Sequence, residues 1–390
     1  MRRIKVVQII TKLELGGAQQ VAIFLASHLN KERFITYLVS GKEGLLVDEA
    51  RSLMGERAYF LKDLVREIDP LKDTKAVLQI SRILKIILGK EMGPCIVHTH
   101  SSKAGILGRW AARISGIPIS IHTYHGFGFT DYQSFPVRRF FILLERINAP
   151  LASAFICVSR ANIEKGRRLR IFARRPVFLI RAGIPIEEFR DVILDIEEFR
   201  QSWGIARDGP VVGTVSCFKP QKAPIDFVRM AARVKKEIPN SRFIMVGDGV
   251  LRPEVERIAK GLGISDSLIL AGWRRDVAKI MRLFDIFVLT SLWEGLPMVF
   301  PQAMAAGLPL VATSVDGAPE AIRDGINGFL VPPGDIEAMA NKVIQLIRDE
   351  KMRKEMGMKG LDYIDEFDRW KMLKAHEDLY QRLLKDRGLI

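Results

Sequence analysis

Short runs of β-branched and aliphatic residues alternate along the chain with longer stretches whose apolar residues recur at helical spacing. The runs Val6–Ile10, Ile35–Val39, Cys95–Thr99, Ile119–Thr123, Phe155–Val158 and Val177–Ile180 predict strands in the first half. Between them, Gln19–Leu29 and Ala104–Ile114 carry the three-to-four-residue periodicity of half-buried helices. The second half repeats the scheme, with strands predicted at Val211–Val215, Phe243–Val246, Leu268–Ala271, Ile286–Thr290, Leu310–Thr313 and Phe329–Val331. Strands alternating with helices imply parallel sheets covered on both faces, because a parallel connection needs a crossover. Two such sets predict two doubly wound α/β domains joined near 186–206, where acidic residues cluster. In open parallel sheets ligands bind beyond the carboxyl ends of the strands. The expected site therefore lies in a cleft between the domains.

The 390 residues suit two or three domains, and 48% apolar with 27% charged residues is an ordinary globular composition that excludes disorder as the main state. Charged residues interrupt the longest apolar stretches, so no segment reaches the ~18–20 residues that span a bilayer. The start, Met1-Arg2-Arg3-Ile4, is basic, but the apolar run after it is too short for a signal peptide and fits a first strand. Cys95, Cys157 and Cys217 are too scattered for a disulfide framework or zinc site and are expected as buried thiols in a cytoplasmic protein.

Charge changes the picture more. Residues 1–190 hold 31 Lys and Arg against 16 Asp and Glu, whereas residues 191–390 hold 29 of each, so the whole net charge of +15 lies in the first half. This points that half at an anionic partner: phospholipid, a diphosphate-bearing substrate or nucleic acid. No aromatic-and-basic reader motif supports nucleic acid, which is not expected as a partner. Phe135, Val137, Phe140, Phe141, Leu144 and Ile147, beside Arg138, Arg139 and Arg146, form an apolar stripe that packs into the core or, alternatively, faces a membrane. Core packing is the expectation.

Candidate chemistry sits at strand ends. After the first strand, Gly16 and Gly17 precede a helix whose free N–H groups suit an anion. The third glycine of the dinucleotide fingerprint is absent. In the second half, Ser291-Leu292-Trp293-Glu294-Gly295-Leu296-Pro297-Met298-Val299 follows a strand. Gly295 is expected to permit an unusual turn, and a helix beginning near Met298 aims N–H groups at a phosphate. Glu294 suits hydroxyl groups, and Gln302 on the same helix suits a second polar group of the same ligand. Lys219 and Lys222, after Val215, offer point charges to the phosphates. Gly247, Asp248 and Gly249 end one strand and Gly272 another, where Trp273 offers a stacking face for a base.

With these residues in view, 205–335 resembles the donor-binding domain of the retaining glycosyltransferases of the GT-B fold, family four. The matches are Lys222, Gly247-Asp248-Gly249, Gly272, Asp285, Glu294-Gly295-Leu296-Pro297, Gly307-Leu308-Pro309, Asp316-Gly317-Ala318-Pro319-Glu320 and Asp324-Gly325-Ile326-Asn327-Gly328. The first half is similar through Gly16-Gly17-Ala18, His98-Thr99-His100-Ser101-Ser102-Lys103 and His122-Thr123-Tyr124-His125-Gly126. Two positions depart from the family: Gln302 stands where a second Glu is usual, and Cys217 where an Arg is usual.

The resemblance implies an acceptor-binding Rossmann-like domain over 1–190, a nucleotide-sugar domain over 191–366, and a last helix, 367–390, packing back on the first. It implies a metal-independent hexosyltransferase, without cofactor, acting with retention on a nucleotide diphosphate sugar. UDP is the expected base, with GDP open. Glu294, His125 and Lys222 are the implied catalytic residues, with Glu294 orienting the sugar and His125 contacting it from the opposite domain. Donor binding falls to Gly16, Gly17, Lys219, Lys222, Gly247, Asp248, Gly249, Trp273, Glu294, Gly295, Leu296, Pro297, Met298, Val299 and Gln302. A basic acceptor domain suits a glycan or a lipid-diphosphate-linked saccharide in cell-surface polysaccharide or glycolipid assembly. Lys103, Arg138, Arg139, Arg167 and Arg168 are candidates to meet that acceptor or an anionic membrane, and peripheral association with the cytoplasmic face follows. The alternatives are a nucleotide-sugar epimerase or hydrolase of the same fold, and a nucleotide-binding protein without transferase activity.

Overall fold

The computed structural model describes residues 3–89, 93–206 and 209–390, so Met1 and Arg2 of the basic start lie outside the described residues. The chain divides into two compact units, Met1–Gly183 with Trp370–Ile390, and Ile184–Arg369. The first unit holds seven parallel strands, β1 (Ile4–Ile10), β2 (Phe34–Gly41), β3 (Ala58–Leu61), β4 (Cys95–His100), β5 (Ile119–Tyr124), β6 (Ala154–Cys157) and β7 (Val177–Leu179), in the order β3-β2-β1-β4-β5-β6-β7. The second holds six, β8 (Val211–Val215), β9 (Arg242–Val246), β10 (Leu268–Gly272), β11 (Ile286–Leu289), β12 (Leu310–Thr313) and β13 (Gly328–Val331), in the order β10-β9-β8-β11-β12-β13. Each sheet reverses its strand order once, between β1 and β4 and between β8 and β11. These switch points are where strand-end loops diverge and leave room for a ligand.

Each run predicted as a strand is one, with ends shifted by at most two residues. The strand that the pattern does not predict is β3. Its Ala-Tyr-Phe-Leu sequence is short, lies at the sheet edge and is half-buried along its length, so it carries no alternation to read. The central strands are buried at almost every position, as expected where helices cover both faces. Beneath β8, a core of Phe227, Val228, Met230, Ala231, Phe243 and Met245 fixes the helix Pro224–Glu237 on the second sheet. Cys95 and Cys157 are buried, and burial pushes both thiols up to about 12; Cys217 departs from expectation in being half-exposed.

The last helix, Arg369–Lys385, belongs to the first unit from Trp370 onward. Its Tyr380 ring packs edge-on against Phe34, and its Glu377 carboxylate accepts from the Asn30 N–H at 2.8 Å. Among the described residues no helix is long and apolar enough to cross a membrane.

The helix Phe135–Asn148 overturns the expectation of core packing. Only Ile142, Glu145 and Asn148 on it are buried. Phe135, Phe140, Leu143 and Ile147 are 66, 50, 53 and 61% exposed. The cause is polar pairing inside the unit. Arg109, fully buried on the helix Ser102–Ile114, donates to the Gly105 carbonyl at 2.6 Å and lies 3.4 Å from Glu145. The Tyr124 hydroxyl donates to the same Glu145 oxygen at 2.8 Å, and Trp110 Nε1 donates to Asn148 at 2.7 Å. Burial first, then the adjacent Glu145 charge, raises the Tyr124 pKa well above its ordinary value. The helix is thus held by its polar residues, and its apolar stripe faces outward. Glu145→Ala is expected to cost about 3–5 kcal/mol in chemical denaturation, because it leaves a buried guanidinium without its counter-charge. A loss below about 1 kcal/mol would show that the pair does not hold this helix.

Candidate functional site

At the switch point of the second sheet, the loops after β8 and β11 are stitched together. The loop Ser216–Ala223 leaves β8 over the buried ring of Phe218, whose N–H donates to the Asp248 carbonyl at 2.8 Å. This requires a close backbone approach. A Cβ on Gly247, at φ +127°, would lie 2.0 Å from the Ser216 carbonyl oxygen, so only glycine fits. The loop then turns through Pro220–Lys222 and enters the helix Pro224–Glu237 by way of Ala223, a non-glycine at φ +42°.

Four contacts join this loop to the one after β11. The Thr290 hydroxyl lies 2.9 Å from the carbonyls of both Lys222 and Ala223. Leu292 N–H donates to the Gln221 carbonyl at 2.8 Å, and the Gln221 amide donates to the Trp293 carbonyl at 3.0 Å. On that scaffold the Lys222 ammonium pairs with the Glu294 carboxylate, which is 7% exposed. Glu294 is fixed from a third side by the loop after β12. Its N–H donates to the Asp316 carboxylate at 2.8 Å, and Gly317 N–H donates to the Gly295 carbonyl at 3.1 Å. Gly295 does not take the left-handed backbone expected of it. The positive φ values near the site fall on Ala223 and on Asp316, at +40°.

The helix after Glu294 runs from Val299 to Ala305, with Met298 at its N-cap. It has no side-chain cap and no acidic residue in its first turn, so its N-terminal N–H groups and partial positive charge are open to an anion. Gln302 is half-buried on this helix. Lys219 is half-buried and takes part in the loop through its own N–H, which donates to Cys217. Asp248 is engaged in its own turn, accepting from Gly249 N–H at 2.7 Å and pairing with Arg252 at 2.9 Å. Trp273, beyond the edge strand β10, is 44% exposed, and the bridge from Gly247 to Gly272 sets it beside the Gly247–Gly249 turn.

In the first unit, Gly17 opens the helix Gly17–His28 two residues earlier than predicted, and Gly16 is extended at φ −169°. The loops after β1 and β4 meet through the hydroxyls of Thr11 and Ser101, 2.7 Å apart. His125, after β5, is half-buried, and its Nε2 lies 2.9 Å from Nδ1 of His100. Burial lowers its pKa below the ordinary imidazole value, and does the same to His98, His100 and His122, so these rings are neutral near pH 7. Two expected acceptor cations are spoken for. Lys103 pairs with Asp73 at 2.5 Å, and Arg138 pairs with Asp131 at 2.9 Å. Arg139 lies over the Phe135 ring, while Arg167 and Arg168 are exposed. Among the described residues no group of three or more His, Cys, Asp or Glu is arranged to hold a metal ion.

Sequence reading missed the residues that position the site. Gln221, Thr290 and Asp316 act on partners 22 to 73 residues away in sequence, and Tyr380, considered below, on partners 282 and 372 away. No local pattern marks such contacts. Only Asp316 stood inside a quoted motif.

Comparison with known proteins gives this geometry its context. The Glycosyltransferase Family 4 profile matches residues 15–188, and the Glycosyl transferases group 1 profile matches residues 195–362. The chain is 31% identical over 351 residues, 89% of each chain, to the Escherichia coli UDP-Gal:alpha-D-GlcNAc-diphosphoundecaprenol alpha-1,3-galactosyltransferase. It is 25% identical over 334 residues, 82% of this chain and 84% of the relative, to the Staphylococcus aureus capsular polysaccharide biosynthesis glycosyltransferase CapM. Among solved structures, Anabaena HepE in complex with UDP and glucose superposes with a TM-score of 0.82 at 20% identity, covering 97% of this chain and 100% of that one. The two parallel sheets and these neighbours give the GT-B fold, and the chain belongs to the glycosyltransferases of family four.

Proposed function

We propose that this glycosyltransferase moves a sugar from a UDP-sugar to a hydroxyl of a lipid-diphosphate-linked saccharide, with retention at the anomeric carbon, during cell-surface polysaccharide assembly. The observation that carries this reading is the pairing of Lys222 with Glu294 at the switch point of the second sheet, beside an uncapped helix start at Val299. Similarity to a galactosyltransferase whose name specifies a UDP-sugar donor and a diphosphoundecaprenol acceptor supports it.

The chemical difficulty is charge. As the glycosidic bond to the diphosphate lengthens, negative charge grows on the leaving oxygen and positive charge on the sugar. Preorganised donors aimed at the leaving group are worth most in a site that excludes water. In the structure Lys222 and Glu294 neutralise each other. A diphosphate at Lys222 and sugar hydroxyls at Glu294 replace that one contact with two, so the pair is poised to divide around the donor. Lys219, the N–H groups of Met298 and Val299, and Gly17 are further partners for the phosphates. Gln302 accepts or donates to the ribose, and Trp273 offers its face to the base. The departing phosphate takes the acceptor's proton, so no separate protein base and no metal are needed.

The first unit supplies the acceptor side. Its residues hold 35 Lys and Arg against 17 Asp and Glu, whereas the second unit holds 25 against 28. The exposed face of the helix Phe135–Asn148 carries Phe140, Leu143 and Ile147 at helical spacing. Its Arg146 donates to the Leu169 carbonyl at 2.7 Å, which joins it to a cavity of about 760 Å³ lined by Arg167, Arg170, Arg174 and Arg175. Apolar insertion beside exposed arginines suits an anionic lipid surface, where each basic residue contributes about 1 kcal/mol.

Lys222→Ala and Glu294→Gln are each expected to lower the rate of transfer from UDP-sugar about 10²–10³-fold, with the circular dichroism of the wild type. Unchanged rates would mean that the site is misplaced. The full chain is expected to sediment with vesicles containing phosphatidylglycerol and to be released by salt, while Phe140→Ser with Leu143→Ser stays in the supernatant. Equal binding of that double variant would remove the membrane reading.

A further inference from the structure

Inside the first unit the site histidine is the end of a buried polar chain that crosses three strands and the last helix. The Gln8 amide, on β1, is its centre. Its nitrogen donates to the Tyr380 hydroxyl at 3.2 Å, and its oxygen faces His100 Nε2 at 2.8 Å. An amide oxygen only accepts, so His100 carries its proton on Nε2. Nδ1 of His100 is then a lone-pair acceptor, and the atom opposite it, His125 Nε2 at 2.9 Å, must donate. In the other direction, Tyr380 accepts from Gln8 and donates to His98 Nδ1 at 2.6 Å. His98 Nε2–H then donates to Thr123 Oγ1 at 2.7 Å. Gln8, His98, His100 and Tyr380 are fully buried, and burial raises the Tyr380 phenol to about 13-fold less acidic a form than solvent allows only in direction, so the hydroxyl stays protonated.

We infer that Gln8 and Tyr380 are positioning residues that act through His100 to hold His125 as its Nε2–H tautomer, so that Nδ1 faces the transferred sugar as a hydrogen-bond acceptor for a hydroxyl. The inference rests on the reading of His125 as the residue that contacts the sugar. It goes further in naming which ring atom does so and what selects it. Every polar atom in the chain has one role once the Gln8 amide is oriented, and reversing that amide reverses all of them together. The Tyr380 hydroxyl, contributed by the far end of the sequence, pins the amide. Selection of a hydroxyl over a bare acceptor group on the sugar follows, since a lone pair at Nδ1 rewards only a donor.

The test uses the full chain labelled with ¹⁵N at histidine, and reads the tautomer of His125 from two-bond nitrogen–proton couplings. Wild type is expected to show Nε2–H. Gln8→Leu and Tyr380→Phe are expected to show a mixture, and to lower kcat about tenfold with little change in the KM for UDP-sugar, as befits one misdirected hydrogen bond. Gln8→Glu, whose carboxylate accepts from both His100 and Tyr380, is expected to restore the single tautomer. Tyr380→Phe keeps the test open should Gln8→Leu fail to fold. An Nδ1–H form in wild type, or a tautomer that neither variant disturbs, overturns the inference. If instead His125→Ala transfers sugar at the wild-type rate, the reading of His125 as a sugar contact fails, whatever tautomer the ring adopts.

Discussion

The second unit is organised around the meeting of two loops at the point where its strand order reverses. Parallel strands cannot be joined by tight turns, so every strand-end loop here must leave the sheet toward a helix. At the junction of β8 and β11 the neighbouring loops leave in opposite directions, and the structure closes the space with the Thr290 hydroxyl, the Gln221 side chain and the Asp316 carboxylate. These contacts hold Ala223 and Asp316 at positive φ, a conformation that costs of order 1–3 kcal/mol at a non-glycine residue and persists only where the surroundings enforce it. The result is a lysine and a glutamate locked together on otherwise irregular backbone. Preorganisation of this kind is what electrostatic catalysis of a leaving diphosphate requires.

The first unit shows the same logic with buried charge. Arg109 and Glu145 are both out of water, and their pairing with Tyr124 turns the helix Phe135–Asn148 so that its polar residues face in and its aromatic residues face out. An apolar surface that survives beside exposed arginines is costly in water and useful against an anionic interface. The charge asymmetry of the sequence sharpens when the last helix is counted with the unit it packs on, because that segment adds five basic residues against three acidic ones.

That helix also ties fold to chemistry. Its Tyr380 reaches Gln8 on the first strand and His98 on the fourth, so the ends of the chain share one hydrogen-bonded core. Neutral imidazoles are what allow this. Burial keeps His98 and His100 well below their ordinary pKa, so each ring offers one donor and one acceptor and the chain can have a direction.

The sequence by itself determined the two parallel sheets, because buried strands in such sheets are continuous apolar runs such as Val211–Val215 and Leu310–Thr313 that need no context to be read. It also marked the site, because a phosphate-binding loop demands particular residue types at short spacing: Lys222 before a helix, and Glu294 and Gly295 before another. Several residues of the same motifs turn out to be scaffold. Asp285 accepts from Val211 N–H at 2.8 Å, and Asn327 closes its turn by bonding both Arg323 and Ala321. Tertiary structure alone decided the edge strand β3, the outward face of Phe140, the left-handed turn at Ala223 in place of Gly295, and the partners of His125. Each of these depends on which residues distant in sequence supply a hydrogen bond or counter-charge, and a local pattern of apolar and polar positions carries no record of that.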